Sequence, residues 1–180
     1  MRRAEYVLQT NGILSSPFDP QDKSSVIKLI QTSFPECIAS LAISTLSFHA
    51  DCIEKQLNDG RRYWKYCAGS NCIAISGLHH RIWEPQEIWW GGWFSATTTL
   101  TPKIKISILA DTLNQAIRIP DLTHLYLEVY TGTDDSNIYN IYKKLDLNEY
   151  ATLPNFYGID KGLVLMSVDI TILRQLLAIH

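Results

Sequence analysis

Two histidines and one glutamate flank a short segment of the sequence and could move protons. His79 and His80 are adjacent, and Glu87 begins the next candidate strand. Imidazole titrates near neutral pH and a carboxylate can accept a proton, so each of the three is a candidate general base. For each of the three, a solvated loop residue is the commoner role. The two histidines and Cys72 lack the spacing of a known metal-ligand set, and we expect no metal site.

Aromatic residues are concentrated in the same part of the chain. All five tryptophans lie between Trp64 and Trp93. Alternation along one strand places Trp89 and Trp93 on one face and Trp90 on the other. This aromatic area could line a groove for an acyl chain or a peptide, or it could be cross-strand packing in the core. Trp89 and Trp93 are our predicted substrate contacts, with Trp90 as a further residue to test.

Length and charge limit the classes of function. The chain has 180 residues, 46% of them hydrophobic, which suffices for one substantial core. Its 16 basic and 18 acidic residues give a formal charge of -2, without the basic surplus of a nucleic-acid-binding protein. The four cysteines lack Cys-x-x-Cys spacing and are typical of reduced thiols. No apolar run approaches the roughly 18 to 20 residues of a membrane span. We expect a cytoplasmic protein that binds no nucleic acid.

Hydrophobic periodicity predicts one strand, two helices, three strands, a helix, a strand, a helix and two strands. Asp19 is the predicted cap of the first helix, which ends at Pro35. The other predicted helices cover residues 38–57, 106–117 and 138–145. The predicted strands cover residues 6–9, 63–68, 71–77, 87–96, 125–129, 149–153 and 162–168. We expect a single domain over 1–170, with 171–180 as a tail or short helix.

Two stretches in this order resemble the Gcn5-related N-acetyltransferase (GNAT) superfamily. Residues 92–96, Gly-Trp-Phe-Ser-Ala, are similar to the family's fourth strand. Residues 138–147 resemble its Ala-x-x-Leu-Tyr-Glu-Lys-Leu-Gly-Phe block, and 153–158 resemble its Pro-x-Tyr-Tyr loop. The resemblance spans Tyr6 to Asp169. It implies a mixed α/β (α+β) fold, in which helices cover both faces of a mostly antiparallel sheet that is splayed between its fourth and fifth strands.

The resemblance also implies an acyltransferase, most simply an N-acetyltransferase. An amine of a small molecule or peptide would attack the thioester of acetyl-CoA or another acyl-CoA directly. Backbone groups of Phe94, Ser95 and Ala96 would pair with the pantetheine arm, and one N–H there would polarise the thioester carbonyl. Tyr142 falls at the family tyrosine that protonates the departing thiolate, and Glu87 is the candidate base. By periodicity alone, Tyr142 is an apolar-face aromatic residue of a short helix.

Further candidate contacts follow from the same resemblance. Asn137 lies near the family's cofactor-contacting polar groups. Tyr157 belongs to the loop before the last strand and is assigned to the acceptor, together with His79, Trp89 and Trp93. Asp134 and Asp135 precede the short helix and are sufficiently explained as caps.

The segment that would bind the CoA diphosphate departs from the family pattern. In the family, glycines let successive N–H groups converge on phosphate oxygens. The aligned segment here is 101–107, with Ile104 and Ile106 at the two glycine positions. β-Branched residues resist positive φ and crowd a ligand's approach to the backbone. The candidates that remain for holding the anion are Lys103, Lys105, Ile106 and Ser107.

This departure leaves alternatives for the donor. The acyl group could be carried on the phosphopantetheine of an acyl carrier protein, which presents a single phosphate. Alternatively, donor binding has been lost and the domain is a binding or regulatory module. The sequence leaves open the acceptor, the acyl chain length and whether the protein is a monomer or a homodimer.

Overall fold

The computed structural model describes residues 2–130, 136–144, 147–156, 158–160 and 162–178. The helices are α1 (Arg2–Thr10), α2 (Lys23–Ser33), α3 (Glu36–Glu54), α4 (Pro102–Ile117), α5 (Ser136–Lys144) and α6 (Ile170–Ala178). The strands are β1 (Ile13–Pro17), β2 (Arg61–Ala68), β3 (Asn71–His79), β4 (Ile88–Gly91), β5 (Ser95–Ala96), β6 (His124–Tyr130), β7 (Asn148–Leu153) and β8 (Leu163–Asp169). Within these described ranges, no helix combines the length and apolarity needed to cross a bilayer.

The chain divides into two compact units, each built from two stretches of sequence. Unit 1 comprises Met1–His79 and Gly92–Asn114, and unit 2 comprises His80–Gly91 and Gln115–His180. One boundary falls inside the predicted strand at 87–96. Our expectation of a single domain over 1–170 stays a prediction.

Unit 1 is a sheet with helices on both faces. β1 pairs with β2, β2 with β3, and β3 with β5, all antiparallel. Tyr63 and Ile75 lie in one core cluster with residues of α2 and α3, whereas Tyr66 and Ala74 lie in another with residues of α1 and α4. The alternation of side chains along β2 and β3 separates the two clusters. The predicted arrangement of helices on both faces is therefore present in this unit.

Unit 2 contains a mixed sheet in the order β4, β6, β8, β7. β4 runs parallel to β6, and the β6–β8 and β8–β7 pairs are antiparallel. The β4–β6 ladder joins Ile88–Trp90 to His124–Tyr126 and ends there, although β6 continues to Tyr130. The width of the predicted splay stays a prediction.

The segment 170–178 is a helix rather than a loose tail. α6 packs near the end of α4, where helix carbonyls lack intrahelical donors. The Arg174 guanidinium donates to the carbonyls of Ile117 and Ile119. Of the two alternatives for 171–180, the helix is the one observed over the described residues, which end at Ala178.

The strand predicted at 6–9 was wrong, because this segment belongs to helix α1. Ala4, Val7 and Leu8 are buried, which is the spacing of one helical face, while Tyr6 is 67% exposed. Gly12, with a φ of +66°, follows the helix end, where a left-handed residue is favourable. The first strand is β1.

The predicted start of the first long helix is confirmed. The Asp19 carboxylate accepts the N–H of Gln21 at 2.9 Å, and the Asp22 carboxylate accepts the N–H of Asp19 at 3.0 Å. This reciprocal pair is a capping box around the 3₁₀ turn Pro20–Asp22. The turn leads directly into α2.

Candidate functional site

A β-bulge interrupts the strand predicted at 87–96. The N–H of Gly92 donates to the carbonyl of Gly77 at 2.7 Å, and Ser95 pairs with Ile75. Between these two points β3 advances two residues, from 77 to 75, whereas the opposite segment advances three, from 92 to 95. One extra residue on one side is the definition of a bulge. The prediction of one continuous strand was therefore wrong, and β4 and β5 are separate.

The bulge turns the Ala96 N–H of β5 away from β3. The N–H of Thr97 donates to the carbonyl of Ile73 at 2.9 Å and so faces β3. Successive peptide groups of a strand face opposite edges, so the N–H of Ala96 faces away from β3. At that outer edge the carbonyl of Ala96 accepts the Ser33 hydroxyl at 3.2 Å. An incoming extended chain could therefore use the Ala96 N–H as a donor.

The side chains of this segment are split between two faces. Phe94 and Ala96 are half-buried and pack against the cluster that contains Tyr66 and Ala74. Ser95 is 2% exposed, and its hydroxyl has no hydrogen-bond partner within the described residues. An unsatisfied buried hydroxyl costs about 1–3 kcal/mol. A bound ligand that supplied a partner would remove this cost.

α4 begins at Pro102, before the predicted start at Ile106. The N–H of Ile104 donates to the Thr101 carbonyl at 3.0 Å, and that of Lys105 donates to the same carbonyl at 3.1 Å. Proline at the first helical position has no N–H to offer. The predicted phosphate loop 101–107 is therefore helical from residue 102, and two of its N–H groups already have acceptors.

The predicted anion ligands consequently lie on the first two turns of α4. Lys103 is exposed, and Lys105 and Ile106 are half-buried. Ser107 is buried, and its hydroxyl donates to the Lys103 carbonyl at 2.9 Å. The first turn contains no acidic residue. Two lysines therefore add to the positive end of the helix dipole, while the Ser107 hydroxyl is already in use.

Tyr142 is a buried phenol in α5. Its side chain is 8% exposed, next to buried Ile141. Burial raises the pKa of Tyr142 above the ordinary value of 10.0. Since the phenol holds its proton throughout the neutral and mildly alkaline range, it is present as a hydrogen-bond donor over that whole range.

Some predicted residues fall beyond what the structure describes. Asn137 lies in the first turn of α5, but its side chain is outside the described set. Tyr157, Asp134 and Asp135 are also outside it. Their predicted roles stay predictions.

Glu87 lies beside the start of β6. Its side chain is exposed, and its carbonyl accepts the N–H groups of Thr123 at 2.9 Å and His124 at 3.1 Å. α5, which carries Tyr142, follows the other end of β6. The structure therefore gives Glu87 a structural role through its backbone, and its role as a base stays a prediction.

The two histidines lie in different units. His79 ends β3, opposite Arg61 of β2. His80 Nδ1 lies 3.0 Å from the carbonyl oxygen of Ile88, and its ring centroid lies 5.8 Å from that of Trp89. Through these contacts the His80 side chain packs the loop before β4 against the strand itself.

Trp89 and Trp93 are packed residues. Trp89 is buried, and its indole N–H donates to the Gln86 carbonyl at 3.1 Å. Trp93 is half-buried and meets Phe34 edge-on, with ring centroids 5.9 Å apart. Both contacts agree with the packing alternative, and the predicted substrate contacts stay predictions.

Trp90 begins a row of aromatic rings on the sheet of unit 2. Its ring centroid lies 5.2 Å from that of Tyr126, and Tyr126 meets Tyr150 edge-on at 5.9 Å. Tyr150 is 70% exposed. The Arg81 guanidinium lies 3.8 Å from the Trp90 ring centroid. The Trp90 ring of this row is therefore already in a cation–π contact with the protein's own Arg81 side chain.

Two carboxylates border this aromatic row. Glu84 accepts the indole N–H of Trp90 at 2.7 Å, and Glu128 accepts a guanidinium N–H of Arg81 at 3.1 Å. Glu128 lies two residues after Tyr126 on β6 and therefore on the same face. Our reading of the sequence did not single out Tyr126 and Glu128. The sequence feature that could have pointed to them is their place on the polar face of a strand in which polar and apolar residues alternate.

The arrangement of elements matches solved acetyltransferases. A protein described as an acetyltransferase of the GNAT family from Desulfovibrio desulfuricans superposes with a TM-score of 0.73, over 88% of this chain and 99% of that chain, at 12% identity. This chain has the GNAT fold. The expected mixed α/β (α+β) class is thereby confirmed.

Two more structures share the GNAT fold with this chain. An aminoglycoside 6'-N-acetyltransferase from Enterococcus faecium has a TM-score of 0.63 at 17% identity and covers 87% of this chain and 97% of its own. A spermidine/spermine N-acetyltransferase from Vibrio cholerae has a TM-score of 0.67 at 12% identity and covers 89% and 94%. No protein-family model and no curated protein matches this sequence.

Proposed function

We propose that this protein is an N-acyltransferase that moves an acetyl or longer acyl group from an acyl-CoA to an amine. The observation that carries the proposal is the bulge between Gly92 and Ser95 followed by the outward-facing N–H of Ala96, within a GNAT fold. An extended pantetheine arm carries amide groups and can add to such an edge as a strand does. The described residues of β5 fit this part of the donor.

The segment proposed to bind the phosphates of the donor is less specific than the β5 edge proposed to bind the pantetheine arm. Lys103 and Lys105 add positive charge at the start of α4. The N–H groups of Ile104 and Lys105 already donate to Thr101, so they do not form a converging phosphate nest. We therefore expect most of the donor affinity to come from the pantetheine arm.

The proposed reaction is a direct transfer. The neutral amine attacks the thioester carbonyl carbon, a C–N bond forms, and the C–S bond breaks. Tyr142 gives its proton to the departing thiolate, and solvent later restores it. The proton lost by the amine passes to a carboxylate or to water. A backbone N–H in the Phe94–Ala96 segment would stabilise the developing oxyanion.

We further propose that the acceptor is a cationic amine bound by the aromatic row. Arg81 lies on the face of the Trp90 ring, which suits that face to a cation, and the Glu128 carboxylate pairs with Arg81 while its side chain stays 43% exposed. The Enterococcus and Vibrio neighbours are acetyltransferases of aminoglycosides and of spermidine or spermine. A polycationic acceptor suits this combination of rings and carboxylates.

A substitution at Glu128 tests the acceptor proposal. Glu128→Gln removes the charge and keeps the shape, so we expect the KM for spermidine to rise about tenfold while the KM for acetyl-CoA is unchanged. Glu36→Gln, an exposed position in α3, is the matched control. Steady-state kinetics with each substrate varied in turn is the measurement. Equal spermidine KM values for the two variants would contradict the proposal.

A ligand titration tests the donor proposal. Acetyl-CoA should raise the thermal midpoint saturably, since a ligand at 100 times its Kd stabilises the folded state by about 2.7 kcal/mol. Acetyl-phosphopantetheine should bind within about tenfold of acetyl-CoA, because the start of α4 has no phosphate nest. A shift with an acyl carrier protein alone would favour the carrier-dependent alternative. No shift with any donor would favour a binding module.

A further inference from the structure

We infer that Tyr63 is a positioning residue that holds the bulge in the register needed for donor binding. The inference rests on the proposed function, because it concerns the same β5 edge. Tyr63 belongs to β2, two strands away from the segment whose geometry it sets. It touches no reacting atom.

The hydroxyl of Tyr63 supplies the hydrogen bond that the bulge would otherwise lack. A bulge leaves its extra residue outside the regular ladder. Here the N–H of Trp93 donates to the Tyr63 hydroxyl oxygen at 3.2 Å. The side chain is 3% exposed, so this bond forms in the interior, where an unsatisfied N–H would be costly.

Two glycines make room for the Tyr63 ring. A Cβ at Gly77 would lie 2.2 Å from the ring carbon Cδ1, and a Cβ at Gly92 would lie 2.8 Å from the hydroxyl oxygen. Gly77 is also the cross-strand partner of Tyr63, and Gly92 donates to the Gly77 carbonyl. The Tyr63 side chain can therefore occupy this position only because residues 77 and 92 are both glycine.

The bulge decides which edge the Ala96 N–H faces. If the Gly92–Gly77 register continued without an extra residue, Ala96 would stand opposite Ile73 and donate to its carbonyl. Thr97 holds that bond in the structure, and the Ala96 N–H faces outward instead. Whatever fixes the bulge therefore also fixes the donor-binding edge, and the Tyr63 hydroxyl is the group that bonds to it.

The Trp93 side chain anchors the same residue from a second direction. Its ring packs edge-on against Phe34, the residue after α2, and both rings pack against the core cluster that contains Tyr63. This packing stays in place when the Tyr63 hydroxyl is removed. A Tyr63→Phe variant therefore isolates the hydrogen bond from the packing of the bulge.

Tyr63→Phe combined with residue-resolved amide exchange tests the inference. We expect exchange at Trp93 to accelerate at least about tenfold while Thr97 is unchanged, because only Trp93 loses its acceptor. The KM for acetyl-CoA should rise about tenfold, with kcat at saturating donor within about twofold of wild type. Tyr66→Phe is the matched control, since that phenol is equally buried on β2 but bonds to Asp111 at 3.0 Å. It should lower stability without changing the donor KM.

Two results would overturn the inference. One is a Tyr63→Phe variant with an unchanged acetyl-CoA KM, which would make Tyr63 a structural residue only. The other is amide exchange in the wild-type protein that is fast at Trp93 and slow at Ala96, which would mean that the bulge is absent. This second measurement uses the wild-type protein alone and does not depend on whether a variant folds. If wild type binds no acyl donor, the proposed function fails and the positioning role fails with it, while slow Trp93 exchange would still support the hydrogen bond.

Discussion

Replacing Tyr142 with phenylalanine is expected to lower kcat about 100-fold and to leave the KM for the acyl donor within about twofold. The ring keeps its buried place in α5, so packing is preserved. The variant loses only the hydroxyl proton that, in the proposed mechanism, the phenol gives to the departing thiolate. Initial rates of CoA release at saturating donor and acceptor are the measurement.

The pH profile and a second tyrosine provide the controls for this result. The raised pKa of Tyr142 keeps the phenol protonated above pH 10, so its ionisation produces no loss of kcat between about pH 7 and pH 10. Tyr139→Phe, in the same helix, removes an exposed hydroxyl that donates to Glu149 at 2.8 Å. We expect wild-type kcat from Tyr139→Phe. A Tyr142→Phe variant with more than about a third of wild-type kcat would contradict proton delivery by Tyr142.

Replacing Gly77 with alanine is expected to destabilise the protein by about 3 kcal/mol, the upper end of the cost of overpacking a core. The new Cβ would lie 2.2 Å from a carbon of the Tyr63 ring, far inside any normal carbon–carbon contact. Overpacking of a core costs about 1–3 kcal/mol, and β3 is paired on both sides of this point, so it has little freedom to move away. Urea unfolding followed by circular dichroism measures the loss.

A double-mutant cycle assigns this cost to the contact with Tyr63. In a Tyr63→Ala background the clashing ring is absent, so Gly77→Ala should cost less than about 1 kcal/mol. The same cost in both backgrounds would show that Gly77 is needed for some other reason. A single Gly77→Ala variant as stable as wild type would contradict the packing around Tyr63.

Several helices could be predicted because their signals are local. The Asp19 cap and the apolar spacing that follows it lie within one stretch of chain, and in the structure Asp19 caps the 3₁₀ turn that leads into α2. α1 was mistaken for a strand because four residues are too few to separate the two periods. The start of α4 had its own signal in Thr101–Pro102, a cap followed by proline at the first position. We gave the family's loop more weight than this signal.

The bulge could not be predicted from the sequence of one strand. It is defined by the register between β3 and the segment Gly92–Ser95, and register depends on contacts between distant parts of the chain. Gly77 and Gly92 are the residues in the sequence that relate to the bulge, since the absence of a side chain at both positions leaves room for Tyr63. Similarly, Glu128 was visible as an outward-facing strand residue, but its neighbours Arg81 and Trp90 come from another element.

Amide exchange at Ala96, with and without acetyl-CoA, tests the central claim most directly. The claim is that the outward N–H of β5 pairs with the pantetheine arm. Saturating acetyl-CoA should slow exchange at Ala96 at least about tenfold and leave Thr97, which already donates to Ile73, unchanged. Unchanged exchange at Ala96 in a protein shown to be saturated with acetyl-CoA would contradict the account.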